Sequence, residues 1–115
     1  MVEVFTSDEF NEWYQELAID TQDDVSDAVE RLAMLGVALG FPYSSAIRSA
    51  KCPLRELRIQ SRGHPIRVIY AFDPDRDAYL IIGGEKTGDK RFYDRIIAES
   101  EKIWIEYLRT HSGRR

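Results

Sequence analysis

Three strand-like runs that follow one another closely constrain the fold of this chain more than any other feature. Residues 54–60 alternate apolar and polar side chains, residues 66–73 are rich in β-branched and aromatic side chains, and residues 78–83 are almost entirely apolar. The links between them, 61–65 and 73–77, contain the glycine, proline and aspartate residues that favour turns. Links this short cannot hold the crossover that joins parallel strands, so the runs predict an antiparallel meander. The third run has the composition of a strand buried on both faces.

Helical patterns lie on both sides of this meander. Thr6-Ser7-Asp8-Glu9 has the form of a capping box and precedes an apolar stripe with helical spacing. A second helix is predicted to start at Thr21-Gln22-Asp23-Asp24 and to continue to Leu39, before Pro42 stops it. We expect these two helices to form an antiparallel hairpin with an acidic outer face. A last helix is predicted over residues 90–109.

The predicted order of elements is β-α-α-β-β-β-α, with a first strand at residues 2–5, a loop at 43–53 and a frayed basic tail at 112–115. A chain of 115 residues with 43% apolar side chains predicts one domain, residues 1–115, with its own core. The single cysteine, Cys52, allows no intrachain disulfide. The chain begins without the pattern of a signal peptide, and its apolar runs fall short of the roughly 20 residues that cross a bilayer. We therefore expect a cytoplasmic protein that does not associate with membranes.

Charge is distributed unevenly along the chain. The net charge is −4, but residues 1–40 hold ten acidic side chains and one basic side chain, whereas residues 41–115 hold fifteen basic and ten acidic side chains. Between residues 48 and 67 there are six basic groups and one acid, Glu56. This asymmetry predicts an acidic half and a face suited to phosphates. On charge alone, two ordinary solvated surfaces explain the pattern equally well.

Several short strings occur in an order and spacing typical of one protein family. They are Leu35-Gly36, Gly40-Phe41-Pro42-Tyr43-Ser44, Leu54-Arg55-Glu56-Leu57-Arg58, Ile66-Arg67-Val68-Ile69-Tyr70-Ala71-Phe72 and Gly83-Gly84-Glu85-Lys86-Thr87-Gly88. They are spread over residues 35–88, and they resemble the phage-derived, HigB-like branch of the RelE/ParE toxin superfamily. The resemblance implies an α+β, RelE-like fold. In that fold a helical hairpin and a C-terminal helix pack on a twisted, mainly antiparallel sheet whose concave face carries the active surface.

The resemblance also implies a function. Such a protein would be the toxin of a type II toxin–antitoxin system, a metal-independent mRNA endoribonuclease that acts on the ribosome and inhibits translation. It would need no cofactor. Its partners would be mRNA on the ribosome and a helix-turn-helix antitoxin of the HigA kind, with which it could form a heterotetramer. The alternative is a non-catalytic protein of the same fold, either a ParE-like gyrase poison or a protein-binding domain.

The chemistry of RNA cleavage indicates which residues to examine. A ribose 2′-hydroxyl can attack the adjacent phosphate without a metal if a base, cations and an acid are at hand. Glu56 and Arg58 lie two apart on one strand and share a face, and Arg67 on the next strand comes across from them. We interpret Glu56 as the general base and the two arginines as phosphate clamps, and the resemblance implies the residue types at Glu56 and Arg67. The alternative is a cross-strand salt bridge on a solvated sheet face.

A second candidate group follows the last strand. Tyr93 is predicted to stack on a base, although it could instead be a core contact of the last helix. Lys86 is the candidate for contact with the leaving group or a phosphate, because the glycines on either side predict flexible backbone. Some relatives have a C-terminal catalytic histidine, but His111 lies in a tail here, so we do not expect a histidine acid. The remaining predicted RNA contacts are Lys51, Arg55, Lys90 and Arg91.

Other tempting residues have simpler interpretations. His64 precedes Pro65 in a predicted hairpin turn, and a surface turn is favoured over catalysis. The acids Asp73, Asp75 and Asp77 also favour a turn over a metal site. Cys52 has no partner at ligand spacing, and the glycines near Lys86 lack the order of a phosphate-binding loop. We therefore predict no metal site.

Overall fold

A computed structural model of the chain describes residues 1–111 and has the α+β organisation predicted from the sequence. The predicted basic tail at 112–115 lies outside the described residues. The strands are β1 (Val4–Thr6), β2 (Ser44–Ala46), β3 (Arg55–Ser61), β4 (His64–Phe72) and β5 (Ala78–Glu85). The helices are α1 (Asp8–Gln15), α2 (Ile19–Leu35) and α3 (Phe92–His111), and a short 3₁₀ helix spans Gly36–Ala38.

The strands form one mixed sheet in the order β1-β5-β4-β3-β2. The predicted meander is confirmed, because β3, β4 and β5 pair antiparallel as consecutive neighbours. β1 pairs parallel to β5 at one edge. β2 lies in the segment predicted as a loop, so that prediction was wrong. A three-residue edge strand has no alternation to detect, and this one is tied to the sheet by a buried hydrogen bond of 2.5 Å between the Ser44 and Tyr70 hydroxyls.

The helix boundaries differ from the predicted ones for local reasons. The predicted hydroxyl cap of α1 is confirmed, because Ser7 Oγ accepts the Phe10 N–H at 2.9 Å, but this start leaves Glu9 outside the N3 position of a capping box. α2 starts two residues earlier than predicted, and Gln22 Nε2 donates to the Tyr14 carbonyl at 2.8 Å instead of capping the helix. Its end comes at Leu35 rather than Leu39. Gly36 there adopts a φ of 55°, which favours glycine.

Helices cover both faces of the sheet. The first face, which we call the hairpin face, packs on α1 and α2 through a core that includes Phe10, Val25, Leu32, Leu57, Ile59, Ile66, Val68, Tyr70 and Leu80. The second face, the α3 face, packs on α3 through Ile69, Ala71, Tyr79, Ile81, Phe92, Ile96, Trp104 and Tyr107. The outer side of α2 is acidic, as predicted, with exposed Asp20, Asp23, Asp27 and Glu30.

β5 is buried on both faces, as its composition predicts. Leu80 faces the hairpin core and Ile81 the α3 core, and they are 1% and 0% exposed. A bulge between Ile69 and Tyr70 on β4 leaves Ile81 as the extra residue of β5. None of the helices in residues 1–111 combines the length and apolar composition required to span a bilayer.

Candidate active site

The register between β3 and β4 brings the three residues singled out from the sequence to one place. Arg58 pairs directly with Arg67, and Glu56 pairs with Ile69 two residues further along β4. Because successive side chains of a strand alternate between the faces of a sheet, Glu56, Arg58 and Arg67 all lie on the α3 face. The prediction that they share a face is therefore confirmed, whereas their chemical roles stay predictions.

The Glu56 carboxylate is the centre of this arrangement. Its Oε2 lies 3.5 Å from Arg58 Nη1, and its Oε1 lies 3.6 Å from Arg67 Nε. The Tyr93 hydroxyl donates a hydrogen bond of 2.7 Å to Oε1, and Ser45 Oγ donates one of 3.0 Å to Oε2. We call these five residues the Glu56 cluster. Ser45 was missed from the sequence because it belongs to β2, the strand that was not predicted.

Burial of the cluster differs from the expectation of an open polar sheet face. Glu56 and Arg67 are each 6% exposed, whereas Ser45, Tyr93 and Arg58, whose side chain is 31% exposed, are half-buried. The same face carries Ile69 and Ala71, so α3 packs against it. The cross-strand ion pair of the alternative interpretation is present between Glu56 and Arg67, but it is buried rather than solvated. Removing one partner of a buried ion pair costs far more than removing one partner of an exposed pair.

Arg67 has an unused donor inside this buried cluster. Its Nη1 donates to the Ile66 carbonyl at 3.0 Å, but among the described residues its Nε has no hydrogen-bond partner and is inaccessible to solvent. The 3.6 Å from Nε to Glu56 is an ionic contact, too long for a hydrogen bond. Most buried polar groups in folded proteins are satisfied, so this unpaired N–H is an unusual feature of the cluster.

Tyr93 is held as a neutral phenol. Burial raises its pKa above that of a free tyrosine, and the hydrogen bond to the Glu56 carboxylate raises it further, against a smaller opposing effect of Arg67. The Tyr93 hydroxyl is therefore protonated at neutral pH and donates to Glu56. Tyr93 belongs to the first turn of α3, and its ring also packs edge-on against Phe92, with 5.2 Å between centroids. It is thus both a contact of α3 and a member of the cluster.

Lys86 reaches the cluster through Tyr93. Its Nζ lies 5.3 Å from the centroid of the Tyr93 ring, within the range of a cation–π contact. The glycines before it do not supply flexible backbone, because Gly83 and Gly84 lie within β5. A Cβ on Gly83 would lie 2.3 Å from the Trp13 ring, so close packing accounts for this glycine.

The predicted RNA contacts are only partly gathered near the cluster. Lys90 and Arg91 are exposed in the turn before α3, close in sequence to Tyr93. Lys51 is exposed beside α3, where its backbone N–H donates to Glu101 at 2.5 Å. Arg55 does not join them, because it lies on the opposite face from Glu56. Its Nε contacts the hydroxyls of Ser44, at 3.2 Å, and Tyr70, at 3.3 Å.

Residues 64 and 73 both lie beside turns of the sheet, outside the Glu56 cluster. His64 is not in the hairpin turn as predicted but is the first residue of β4, directly after the Arg62-Gly63 turn, and its exposed Nδ1 lies 3.1 Å from Glu85 Oε2. The Asp73 carboxylate closes its turn by accepting the N–H groups of Asp75 and Asp77 at 2.9 and 3.1 Å.

His111 lies at the opposite end of α3 from Tyr93, about 27 Å along the helix axis at 1.5 Å per residue. Its Nδ1 lies 2.8 Å from the Tyr107 carbonyl oxygen, so this histidine is not part of the Glu56 cluster.

The fold that holds this cluster is that of the RelE toxins. A double-arginine mutant of the Escherichia coli toxin RelE in its free state superposes with a TM-score of 0.64, covering 88% of this chain and 95% of that one. The two share 10% sequence identity, so this likeness concerns the fold alone.

Sequence comparison supplies the family. The family model described as phage-derived protein Gp49-like matches residues 12–104. HigB3 of Mycobacterium tuberculosis, which is named as a toxin, is 34% identical over 103 residues, which are 88% of this chain and 89% of that protein. HigB2 of the same organism, also named as a toxin, is 33% identical over 99 residues, 84% of this chain but 49% of that longer protein. The chain belongs to the phage-derived Gp49-like family, and its predicted place in the HigB-like branch is confirmed.

Proposed function

We propose that this chain is the toxin of a type II toxin–antitoxin system and that it inhibits translation by cutting mRNA. Two relatives that carry the name of toxin, HigB3 and HigB2, and the RelE-like fold support the toxin assignment. The observation that carries the catalytic part is the Glu56 carboxylate, which is held between two guanidinium groups and hydrogen-bonded to a phenol. These are the charges that a metal-independent attack on a phosphodiester requires.

In the proposed reaction, the Glu56 carboxylate takes the proton of the ribose 2′-hydroxyl as the 2′-oxygen bonds to phosphorus. The bond from phosphorus to the 5′-oxygen breaks, and Lys86 or Tyr93 supplies a proton to the departing oxygen. Arg58 and the free N–H of Arg67 neutralise the charge that builds up on the phosphoryl oxygens.

Access to Glu56 requires Tyr93 to move. The Tyr93 hydroxyl lies 2.7 Å from Glu56 Oε1, the distance at which a ribose hydroxyl would have to bind the same oxygen. We therefore expect the substrate hydroxyl to replace the phenol on the carboxylate. The displaced ring, with Lys86 beside it, is then free to stack on a base.

The remaining parts of the proposal concern partners. They comprise mRNA on a cytoplasmic ribosome, contacted by Lys51, Lys90 and Arg91, and a helix-turn-helix antitoxin of the HigA kind, in a heterotetramer with the toxin. The acidic outer side of α2 supports a protein partner with a basic surface. Arg55 is left out of the RNA contacts because its side chain lies on the hairpin face.

The test is induced expression with RNA ends mapped by primer extension. Wild-type protein should arrest growth and produce new mRNA ends. Glu56→Gln and Arg67→Ala should each reduce cleavage at least about 100-fold, because each removes a group that acts on the reacting atoms. His64→Ala, a change to an exposed ionisable side chain outside the cluster, should cleave normally. Cleavage by the purified protein on ribosomes should persist when Zn²⁺ and other transition metals are chelated.

Two outcomes would contradict the proposal in different ways. Growth arrest without new RNA ends would indicate a non-catalytic toxin such as a gyrase poison. The absence of any arrest would favour a protein-binding domain. Because Glu56 and Arg67 are buried, thermal melts of both variants must show a folded protein before lost cleavage is assigned to chemistry.

A further inference from the structure

Phe41 is an exposed aromatic side chain beside the Glu56 cluster. It lies in the loop between the 3₁₀ helix and β2, and 76% of it is exposed. A single exposed apolar residue is ordinary on a protein surface. The position of this one is informative, because the Arg58 guanidinium carbon lies 5.2 Å from the centroid of its ring. The same guanidinium contacts Glu56, so one arginine joins the ring to the carboxylate.

Each oxygen of the Glu56 carboxylate therefore has its own set of contacts. Oε1 accepts a hydrogen bond from Tyr93, and the Lys86 ammonium lies 5.3 Å from the centroid of the Tyr93 ring. Oε2 contacts the Arg58 guanidinium, which in turn contacts the Phe41 ring. Each oxygen of the carboxylate thus has an aromatic ring and a cation on its side.

An RNA substrate has a matching arrangement, because the scissile phosphate joins two nucleotides and one base lies on each side of it. Stacking on an aromatic ring holds a base of any sequence, and a neighbouring cation holds its phosphate. We propose that Phe41 stacks on the base on the Arg58 side of the scissile phosphate, opposite the base held at Tyr93. This inference rests on the proposed ribonuclease function and adds to it a second base-binding position.

The test uses purified toxin in a cell-free translation reaction with a defined mRNA, in which kcat/KM for cleavage is measured. Phe41→Ala should lower kcat/KM about 10-fold, the lower part of the range for loss of one stacked base. Phe41→Trp should restore cleavage to near the wild-type value, because the indole also stacks. Phe41→Leu should not, since leucine is apolar but has no ring to stack. Val37→Ala, at another exposed apolar residue of the preceding segment, should leave kcat/KM unchanged.

The outcomes separate this inference from the function on which it rests. If the wild-type protein cuts no mRNA, the proposed function fails and this inference fails with it. If the wild type cuts and Phe41→Ala cuts equally well, only the stacking role is overturned. If Phe41→Leu restores cleavage as fully as Phe41→Trp, Phe41 is an apolar contact for a protein surface, which also overturns it. The exposure of Phe41 makes all three variants compatible with folding, and thermal melts check this.

Discussion

Alternate residues of the same strands have different roles on the two faces of the sheet. On the hairpin face, β3 and β4 present Leu57 and Val68, which are 1% and 0% exposed in an apolar core. At the intervening positions on the α3 face, the same strands present Glu56 and Arg67, which are also buried. A shift of one residue in register would exchange the two sets, so a single register fixes both the core and the site.

The α3 face is itself divided. One part is an aromatic core in which the Tyr79 and Tyr107 rings stack with centroids 3.7 Å apart. The other part is the Glu56 cluster, where charges have been removed from water at a considerable free-energy cost. We expect the apolar cores on both faces to supply most of the stability, and the cluster to contribute to the proposed chemistry rather than to stability.

The largest expected effect on stability is on the hairpin face. Leu32→Ala should lower the free energy of unfolding by about 3 kcal/mol, because the side chain is fully buried and its loss leaves a cavity. Leu35→Ala, near the end of the same helix but 51% exposed, is the matched control and should cost less than about 1 kcal/mol. Urea denaturation followed by circular dichroism measures both. Equal losses would mean that burial of Leu32 does not contribute to stability as expected.

An effect of similar size is expected in the cluster. Glu56→Leu should cost about 3 kcal/mol, the low end of the range for breaking a buried ion pair, because it leaves the Arg67 guanidinium buried without its carboxylate. Adding Arg67→Met should recover most of that loss, since an apolar pair of similar volume needs no compensation for desolvation. Both variants should be inactive in the cleavage assay. A double variant less stable than Glu56→Leu would show that the cluster stabilises the fold, contrary to the comparison.

The smallest effect concerns the pH dependence of stability. The pKa of Tyr93 is raised in the folded protein, so the folded state binds this proton more tightly than the unfolded chain does. Its contribution is therefore complete below pH about 10, the pKa of a free tyrosine, and is lost as the pH rises through the folded pKa.

Tyr93→Phe should cost about 1 kcal/mol at neutral pH through the lost hydrogen bond, and should make the decline above pH 10 shallower. Part of the decline should remain, because burial, and to a lesser extent Glu9 and Asp8, raise the pKa of Tyr79 as well. Denaturation midpoints from pH 7 to 11.5 give both slopes. Identical slopes in the two proteins would contradict the raised pKa of Tyr93.

Prediction from the sequence succeeded where the signal is local and periodic. Alternation in β3 and β4 was enough to place Glu56, Arg58 and Arg67 on one face, because the side-chain period of a strand is two residues. The same period puts Arg55 and Glu56 on opposite faces of the sheet, because Arg55 lies two residues from Leu57 and therefore shares the face of Leu57. Its grouping with the RNA contacts came from counting charge along the chain without applying that alternation.

Prediction failed where the answer depends on residues distant in sequence. β2 is recognisable only from its pairing with β3 and from the Ser44 contact with Tyr70. The burial of Glu56 could not be foreseen, because the helix that covers this face begins 36 residues further along the chain, at Phe92. The sequence also does not show whether an aromatic residue in a loop, such as Phe41, contacts an arginine side chain.

The sequence by itself determined the strand order of the meander and membership of the family. It also determined the alternation that puts charged and apolar residues on opposite faces of the sheet. These properties are encoded in spacing and composition over a few neighbouring residues. Only the tertiary structure decided that the charged positions are buried, that Tyr93 closes on Glu56, and that Phe41 lies beside Arg58. Burial and side-chain contacts depend on how separate elements pack in space, and no local pattern fixes that packing.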